Sequence, residues 1–542
     1  MPHAHPTHRP VRRFFIALSA VAGGLLLALV VLRCNGNSIW DDAYFNVRYA
    51  DNFLQYGTYA WNADDPPTYG LTSLLHGGVV LTLRLGFDGA PGIPLFIASL
   101  VAGLVGLGLL FRLVLHYADA HGRHRWAAVA FLALLTGFNA NQLSVHFTSG
   151  MDTALAMAYL SAYLIVVKRF EGELSPGKAL LIGLLGGLAW VVRPDLLIFT
   201  VGIPLALAIF AKKQLLRVQG RYLLLFTAFS LLTQFALISP AFDAFVPLSF
   251  YVKSTPSGFD ALRGAYQWEG LRMFGAFLTI NWAATLVLPA AILLRFSRWR
   301  GMFTIADKAA LLGFLGFALY QAVVVIPVMG YEQRFFYPAW PVLVYLGAKS
   351  LVHLLYERRP LAEKLIGQIS GRRRGWPVLI FGVLIGTFAL LQRPWSRPGP
   401  IGQFDMKAVY AALGRNNWPY LERVSILPDD LALAATELGI LGALNPNKTI
   451  YDLSGLHDPE VAIGGFDRSR LLNVQRPDLI FLPHPDYREM RAELLDHPDF
   501  RAAYAVYPRE ELGTFLGLAL RRDSRYFLQL KFIVTDERDL RD

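Results

Sequence analysis

Apolar runs long enough to cross a bilayer recur along this chain, and they constrain every other reading of it. Phe14 to Leu32, Ile93 to Leu115 and Ala309 to Val328 each suffice to span about 30 Å of hydrocarbon as a helix. Soluble cores rarely repeat such runs, so 542 residues that have the length for several soluble domains read instead as a membrane protein. Further spans are expected at Trp126–Gln142, Met151–Val167, Ala179–Val192, Leu196–Ala211, Tyr222–Ile238, Phe274–Leu294, Pro338–Leu355 and Trp376–Gln392. The net charge of +11 belongs to basic residues flanking these runs, where the positive-inside bias places them. It does not indicate nucleic acid. A single cysteine, Cys34, excludes an intramolecular disulfide, and no Cys/His spacing suits zinc.

Orientation follows from Lys and Arg. Leu71 to Leu85 is apolar but short, and His76 and Arg84 interrupt it. Counting it as a crossing puts the clusters Lys212–Arg221 and Arg372–Arg374 outside. Reading it as an interfacial or re-entrant helix puts both inside, with Arg12, Arg13, Arg123, Arg125, Lys168, Arg169, Arg295, Arg298 and Arg300. The expected architecture is a mostly α, polytopic transmembrane bundle of about eleven spans. Its N-terminus is expected to be cytoplasmic. Small residues at Ala20, Ala22, Gly23 and Gly24 would suit a signal peptide, but an uncleaved first helix is expected because Phe14–Leu32 is long for a signal core.

Composition shifts after Gln392. Residues 1–392 are expected to form the bundle, with a first outer loop at 34–92. Residues 393–542 are expected to form a small extracytoplasmic α/β domain behind a stiff linker containing Pro394, Pro398 and Pro400. Strands are expected at Arg423–Leu427, Lys448–Leu453 and Leu479–Leu482, and helices at Ala432–Leu444 and Tyr487–Leu495.

On this topology the polar residues gather in the outer loops. Asp41 and Asp42 follow the first helix. Ser149-Gly150-Met151-Asp152-Thr153, Arg193-Pro194-Asp195, Ser249-Phe250-Tyr251-Val252-Lys253 and Gln333-Arg334-Phe335-Phe336-Tyr337-Pro338 come later. A carboxylate suits proton abstraction from an attacking hydroxyl, and adjacent carboxylates raise each other's proton affinity. Cations suit a phosphate that departs with extra charge. Asp41 and Asp42 are the candidate catalytic residues. Arg193, Lys253 and Arg334 are the candidate phosphate-binding residues. Each has a plainer reading: a solvated acidic loop, a tight turn with a local ion pair, and snorkelling interface anchors. Asp152 suits a helix N-terminus. The case rests on all of these falling on one side.

The ordered motifs resemble the GT-C superfamily of integral-membrane glycosyltransferases, most closely the mycobacterial terminal β-(1→2)-arabinofuranosyltransferase family. Matching pieces are Asp41-Asp42-Ala43-Tyr44, Arg48-Tyr49-Ala50, Gly57, Trp61-Asn62, Tyr69-Gly70-Leu71-Thr72-Ser73 and the later motifs above. Asp452-Leu453-Ser454-Gly455-Leu456-His457-Asp458-Pro459 completes the set. Tyr69 and Leu71 stand where the family often has an acid and an aromatic, and Asp152 stands where it often has Glu. The resemblance implies inverting transfer from a polyprenyl-phosphate sugar to a cell-envelope glycan, glycolipid or protein at a cytoplasmic (inner) membrane. It implies Asp41 or Asp42 as base, with a divalent cation (Mg or Mn) as an optional cofactor. Arg48, Tyr251 and Asp195 become candidate substrate-binding residues. No nucleotide-sugar site is expected, and no P-loop occurs. Asp452 and Asp458 are expected to shape turns, and His457 to lie at the surface.

Two rivals stand beside this reading. A transporter or flippase of lipid-linked sugars would place polar groups at broken helices near the midplane, whereas the expected spans carry their charges at the ends. A glycan-binding scaffold leaves the acid pair and the cationic loops without a purpose. The topology is testable by labelling introduced cysteines in a Cys34→Ser background. Asp64→Cys should react with an impermeant reagent on intact cells, and Lys212→Cys should react only after permeabilisation.

Overall fold

The computed structural model describes residues 8–34, 39–87, 90–119, 125–170, 175–254, 268–293, 303–327, 330–357, 424–484, 487–507 and 517–532. The expected span Trp376–Gln392, the Arg372–Arg374 run, Arg295, Arg298, Arg300 and the linker prolines lie outside these residues.

Among the described residues three helices, Gly92–Tyr117, Gln214–Phe242 and Ile305–Val324, are long and apolar enough to cross a membrane. Two bent pairs bring the number to five. Leu18–Leu32, Pro176–Val192 and Pro194–Phe210 are shorter apolar helices. The last two are interrupted at Arg193-Pro194, because Pro194 lacks an N–H and disfavours a helical residue before it. Leu74–Arg84 is a separate short helix capped by Ser73. Arg84 ties it to Asp51 on helix Phe45–Tyr56 at 2.7 Å.

The sequence led us to expect Trp126–Gln142 and Phe274–Leu294 as simple spans, and both are broken. Ala127–Phe138 and Ala140–Thr148 meet at 70°, and Glu269–Ile280 and Trp282–Leu293 at 83°. Asn139 and Asn281 sit at the two breaks. Each Nδ2 donates to the carbonyl four residues back, Leu135 at 2.8 Å and Phe277 at 2.9 Å. Asn139 Nδ2 also donates to Asn281 Oδ1 at 3.1 Å, which accepts Trp340 Nε1 at 2.8 Å as well. A side-chain amide inserted at a break is an identifiable cause of a kink. Pairing both amides inside the bundle removes the cost of burying them.

Helices Thr153–Arg169 and Trp340–Glu357 run through the bundle core. At one end of the bundle Asp307 holds Lys168 at 3.1 Å and Lys349 at 2.5 Å. At the other end of the Asp307 helix the last turn widens to a π-turn, Tyr320–Val324. Gly270 permits the close approach there, since a Cβ on it would lie 2.3 Å from Ala322 O.

Among its described residues the C-terminal part carries five strands: β1 Leu433–Ala435, β2 Ile450–Asp452, β3 Leu479–Phe481, β4 Tyr504–Tyr507 and β5 Leu518–Arg521. Their order is β2-β1-β3-β5-β4. β1 pairs parallel with β2 and β3, and β5 pairs antiparallel with β3 and β4. The α/β class and the two strands expected near 450 and 480 are observed, as is helix Arg488–Asp496. Two expectations fail. Residues 424–427 form a helical turn, not a strand, and Ala432–Leu444 divides into β1 and helix Gly439–Leu444.

This unit shares one core with the first loop: Phe45, Tyr49, Trp61 and Leu71 pack with Leu433, Ile450 and Leu479. Arg48 fastens the junction. Its Nε donates to Trp61 O at 2.6 Å. Nη1 donates to Gly442 O and Asn445 O at 3.0 and 2.7 Å, and Nη2 to Asn62 Oδ1 and Lys448 O at 2.9 and 2.8 Å. All five donors of a guanidinium are thereby occupied. Arg48 was expected to bind substrate; fully enclosed and fully bonded, it has no donor left to do so. Burial pulls its pKa down to about 9.

Arg48→Met should therefore leave several buried acceptors unpaired, at a cost of about 3 kcal/mol or more. The expected result is a lower melting temperature of the purified protein and protease cleavage appearing first within residues 424–532.

Candidate active site between the bundle and the C-terminal domain

Motifs far apart in sequence are joined by main-chain hydrogen bonds. Trp40 N donates to Ser149 O at 3.0 Å, Leu248 N to Tyr69 O at 2.9 Å, and Ile326 N to Lys253 O at 2.9 Å. Thr72 and Ser249 share a hydroxyl contact at 3.0 Å. Gly150 has φ +75°, and a Cβ there would meet Ala43, Leu95 and Ile39 at about 3 Å; only glycine fits this position at no steric cost.

These ties border a cavity of 580 Å³. Asp42, Asp152, Arg193, Asp195, Lys253 and Arg334 line it, with Trp190, Phe317 and Tyr320 among its apolar walls. Leu456 of the C-terminal domain also lines it. Such a mostly apolar cavity with a few convergent polar groups is the usual form of a ligand site.

The two adjacent aspartates diverge. Asp42 faces the cavity and accepts a hydrogen bond from Arg334 Nη2 at 2.8 Å. Asp41 turns the other way: its oxygens accept Gly439 N at 2.9 Å and Ile440 N at 2.7 Å. Burial, with Asp42 beside it, pushes the Asp41 carboxyl up to about 6 against the pull of those amides. A Cβ on Gly439 would collide with the Asp41 backbone. Asp41 is thus a docking residue for the C-terminal domain, and the expected catalytic role does not fit its place.

Arg334 is nearly enclosed at 4% exposure. Its guanidinium lies 5.3 Å from the Trp40 ring and 5.2 Å from the Phe335 ring, and its Nη1 has no hydrogen-bond partner. Glu332 and Gln333, immediately before it, adopt left-handed φ of 52° and 56°. Such strain at a non-glycine residue costs about 1–3 kcal/mol. It is held here by contacts on both flanks: Gln142 to Glu332 at 3.4 Å, and Tyr337 OH to Asn139 Oδ1 at 2.5 Å.

Lys253 Nζ lies 5.7 Å from the same Phe335 ring and has no hydrogen bond or ion pair among the described residues. Burial and the Arg334 charge pull its pKa down to about 8, partly opposed by Asp42. Arg193 differs from both. It forms a bidentate pair with Asp195 at 2.7 and 3.2 Å and faces Asp152 at 3.8 Å.

Tyr251 is not among the residues lining the cavity; it packs against a core cluster of the C-terminal domain. His457 is not a surface residue. It is 2% exposed, stacked on Trp61 at 4.2 Å and bonded to Tyr49 OH at 3.1 Å. Asp452 accepts from Ser454, Gly455 and His457, and Asp458 caps helix Pro459–Gly464, so both shape turns. Gln321, His76, Trp190 and Leu456 also line the cavity and were not singled out as site residues. A signal existed for Gln321, as a lone amide inside the apolar run Ala309–Val328.

Among the described residues no group of three or more His, Cys, Asp or Glu is placed to hold a divalent cation. The cavity carboxylates each face an arginine.

No family model matches the chain, and no curated protein matches it. Solved structures do. One is ArnT from Cupriavidus metallidurans bound to undecaprenyl phosphate, at 14% identity and TM-score 0.52, covering 94% of this chain and 98% of that one. Its apo form has TM-score 0.50 at the same identity, covering 92% and 98%. The Archaeoglobus fulgidus oligosaccharyltransferase tethered to an acceptor peptide has TM-score 0.50 at 12% identity, covering 94% and 74%. At such identities the likeness shows the fold alone: this chain shares the overall fold of these solved structures over nearly its whole length.

Proposed function

We propose that this protein is a membrane glycosyltransferase that moves a sugar from a polyprenyl-phosphate donor to a hydroxyl of a cell-envelope acceptor, with inversion. The observation carrying this reading is the Asp42–Arg334 pair beside the unpaired Lys253 in one cavity. The solved neighbour holding undecaprenyl phosphate supports the donor class. Arabinofuranose is the first sugar to try, from the sequence motifs. The cavity then belongs on the outer face of the cytoplasmic membrane, in a multi-pass chain of about eleven spans.

The acceptor hydroxyl oxygen attacks the anomeric carbon, and its proton passes to Asp42 Oδ1. That oxygen has no hydrogen bond among the described residues, whereas Oδ2 is held by Arg334. The bond between the anomeric carbon and the phosphate oxygen breaks. Polyprenyl phosphate leaves with one more negative charge than it carried as a diester. The free Nη1 of Arg334 and the Lys253 ammonium are the groups that receive this charge. Both lie against the Phe335 ring, with Arg334 nearly enclosed, where such charges act more strongly than in solution.

Membranes supplied with labelled polyprenyl-phosphate sugars test the assignment. Asp42→Asn should lower transfer about 10²–10⁴-fold, the range for losing a general base. Arg334→Ala should lower kcat about 10²–10³-fold, as for loss of a donor that stabilises developing charge. Full transfer by Asp42→Asn rejects Asp42 as base, and unchanged kcat and KM in Arg334→Ala reject the phosphate role.

A pH dependence follows from Lys253. Its folded pKa is depressed to about 8, so it loses its charge as pH rises through that value while an arginine would not. The kcat/KM of the wild type, which reports the free enzyme, should fall above about pH 8. Lys253→Arg should remove that fall while retaining activity at pH 7.

A further inference from the structure

The charged groups of the cavity form two poles. Arg334 and Lys253 with Asp42 leave one positive charge in excess. Arg193 between Asp152 and Asp195 leaves one negative charge in excess. Gln321 belongs to the second pole. It is 2% exposed, lines the cavity and donates its Nε2 to Asp195 Oδ2 at 2.7 Å. Its Oε1 is buried without any hydrogen-bond partner. An orphaned buried carbonyl costs about 1–3 kcal/mol, so a native structure that keeps one calls for an explanation. The π-turn Tyr320–Val324 lies where Tyr320 and Gln321 both reach the cavity, and such widened turns recur at functional sites.

We infer that Asp152, Asp195 and Gln321 form the subsite for the donor's sugar ring, taking hydrogen bonds from its hydroxyl or ammonium groups, and that Arg193 orients this pole instead of binding phosphate. This deepens the proposed function and rests on it. The chemistry follows from the lining. Gln321 Oε1 is an acceptor without a donor. Asp152 is an acceptor whose nearest cation is 3.8 Å away, beyond hydrogen-bond reach. Arg193 is already neutralised by Asp195. A phosphate placed here would meet excess negative charge, whereas a sugar face rich in donors would satisfy the orphan. Lys253 lies within the fields of both poles, with Arg334 and Asp42 on one hand and Arg193 and Asp152 on the other. It therefore marks the passage from phosphate to sugar.

Binding of two ligand classes to the full-length purified protein separates the poles, with Trp190 in the cavity wall as fluorescent reporter. The bare ligand is undecaprenyl phosphate. The sugar-bearing ligands are undecaprenyl phosphates carrying arabinofuranose, mannose, glucose or an amino-pentose. Wild type should bind one sugar-bearing ligand more tightly than the bare one. Gln321→Met and Asp152→Asn should weaken that ligand about tenfold, the scale of one buried hydrogen bond, and leave undecaprenyl phosphate within about twofold. Lys253→Ala should weaken both classes alike. Loss in Asp152→Asn alone identifies an ammonium on the sugar, and loss in both variants identifies hydroxyls. Should Gln321→Met fail to fold, the near-isosteric Asp152→Asn carries the test. The inference falls if no sugar-bearing ligand exceeds the bare one, or if both variants lose the two classes equally or neither. If wild type binds none of these lipids and transfers no sugar, the proposed function itself fails.

Discussion

Arg48 joins the two halves of the molecule: five N–H groups of one enclosed guanidinium meet five acceptors, two from the first loop and three from residues 442–448. An enclosed cation is tolerated only when its donors are all satisfied, so this contact does not survive small displacements of either partner. With the junction fixed, Asp41 reaches the amides at Gly439 and Ile440 and Trp61 stacks on His457. Leu456 then completes the cavity wall. A site that begins in the bundle is finished by a domain nearly 400 residues later in the chain.

That junction also divides the labour between two chemically identical neighbours. Asp41 and Asp42 differ by one position on a short 3₁₀ turn, Asp41–Tyr44, and successive residues of such a turn point in different directions. One carboxylate becomes part of the contact with helix Gly439–Leu444 and the other lines the cavity. Adjacency alone could not assign them, because both had the same sequence neighbours and the same expected side of the membrane. The deciding partner was helix Gly439–Leu444, which the sequence suggested only as the end of a longer helix.

Legibility from sequence follows the range of the interaction involved. Apolar runs report burial and membrane contact residue by residue, so the helical bundle and the polar segments between its helices were readable. β1 was misread because Leu431 to Ala435 is a run of Leu and Ala with helix-like composition. Its burial on all three strand residues leaves no alternation to betray it. The breaks at Asn139 and Asn281 were invisible for another reason: each amide is explained by the other, 142 positions away. Arg48 and Arg334 illustrate the same limit. Both are arginines in a loop motif beside aromatic residues. Only the acceptors around them, carbonyls for one and a carboxylate for the other, separate a structural rivet from a cavity-lining group.

Arg334 owes its readiness to the broken helix rather than to its own loop. The left-handed Glu332 and Gln333 would relax if free, yet Gln142 and His146 hold Glu332 on one side, and Asn139 holds Tyr337 on the other. All three anchoring residues lie at or just beyond the 70° bend, so the bend brings the Ala140–Thr148 segment across to meet the loop. A straight helix would carry these side chains away from it. The buried amides at the kink thus do two things. They pair with each other inside the bundle, and through the Asn139–Tyr337 bond they hold the loop that sets the Arg334 guanidinium against Asp42. Preorganisation of this kind is what makes a charged group effective in a reaction, because nothing has to reorient as charge develops.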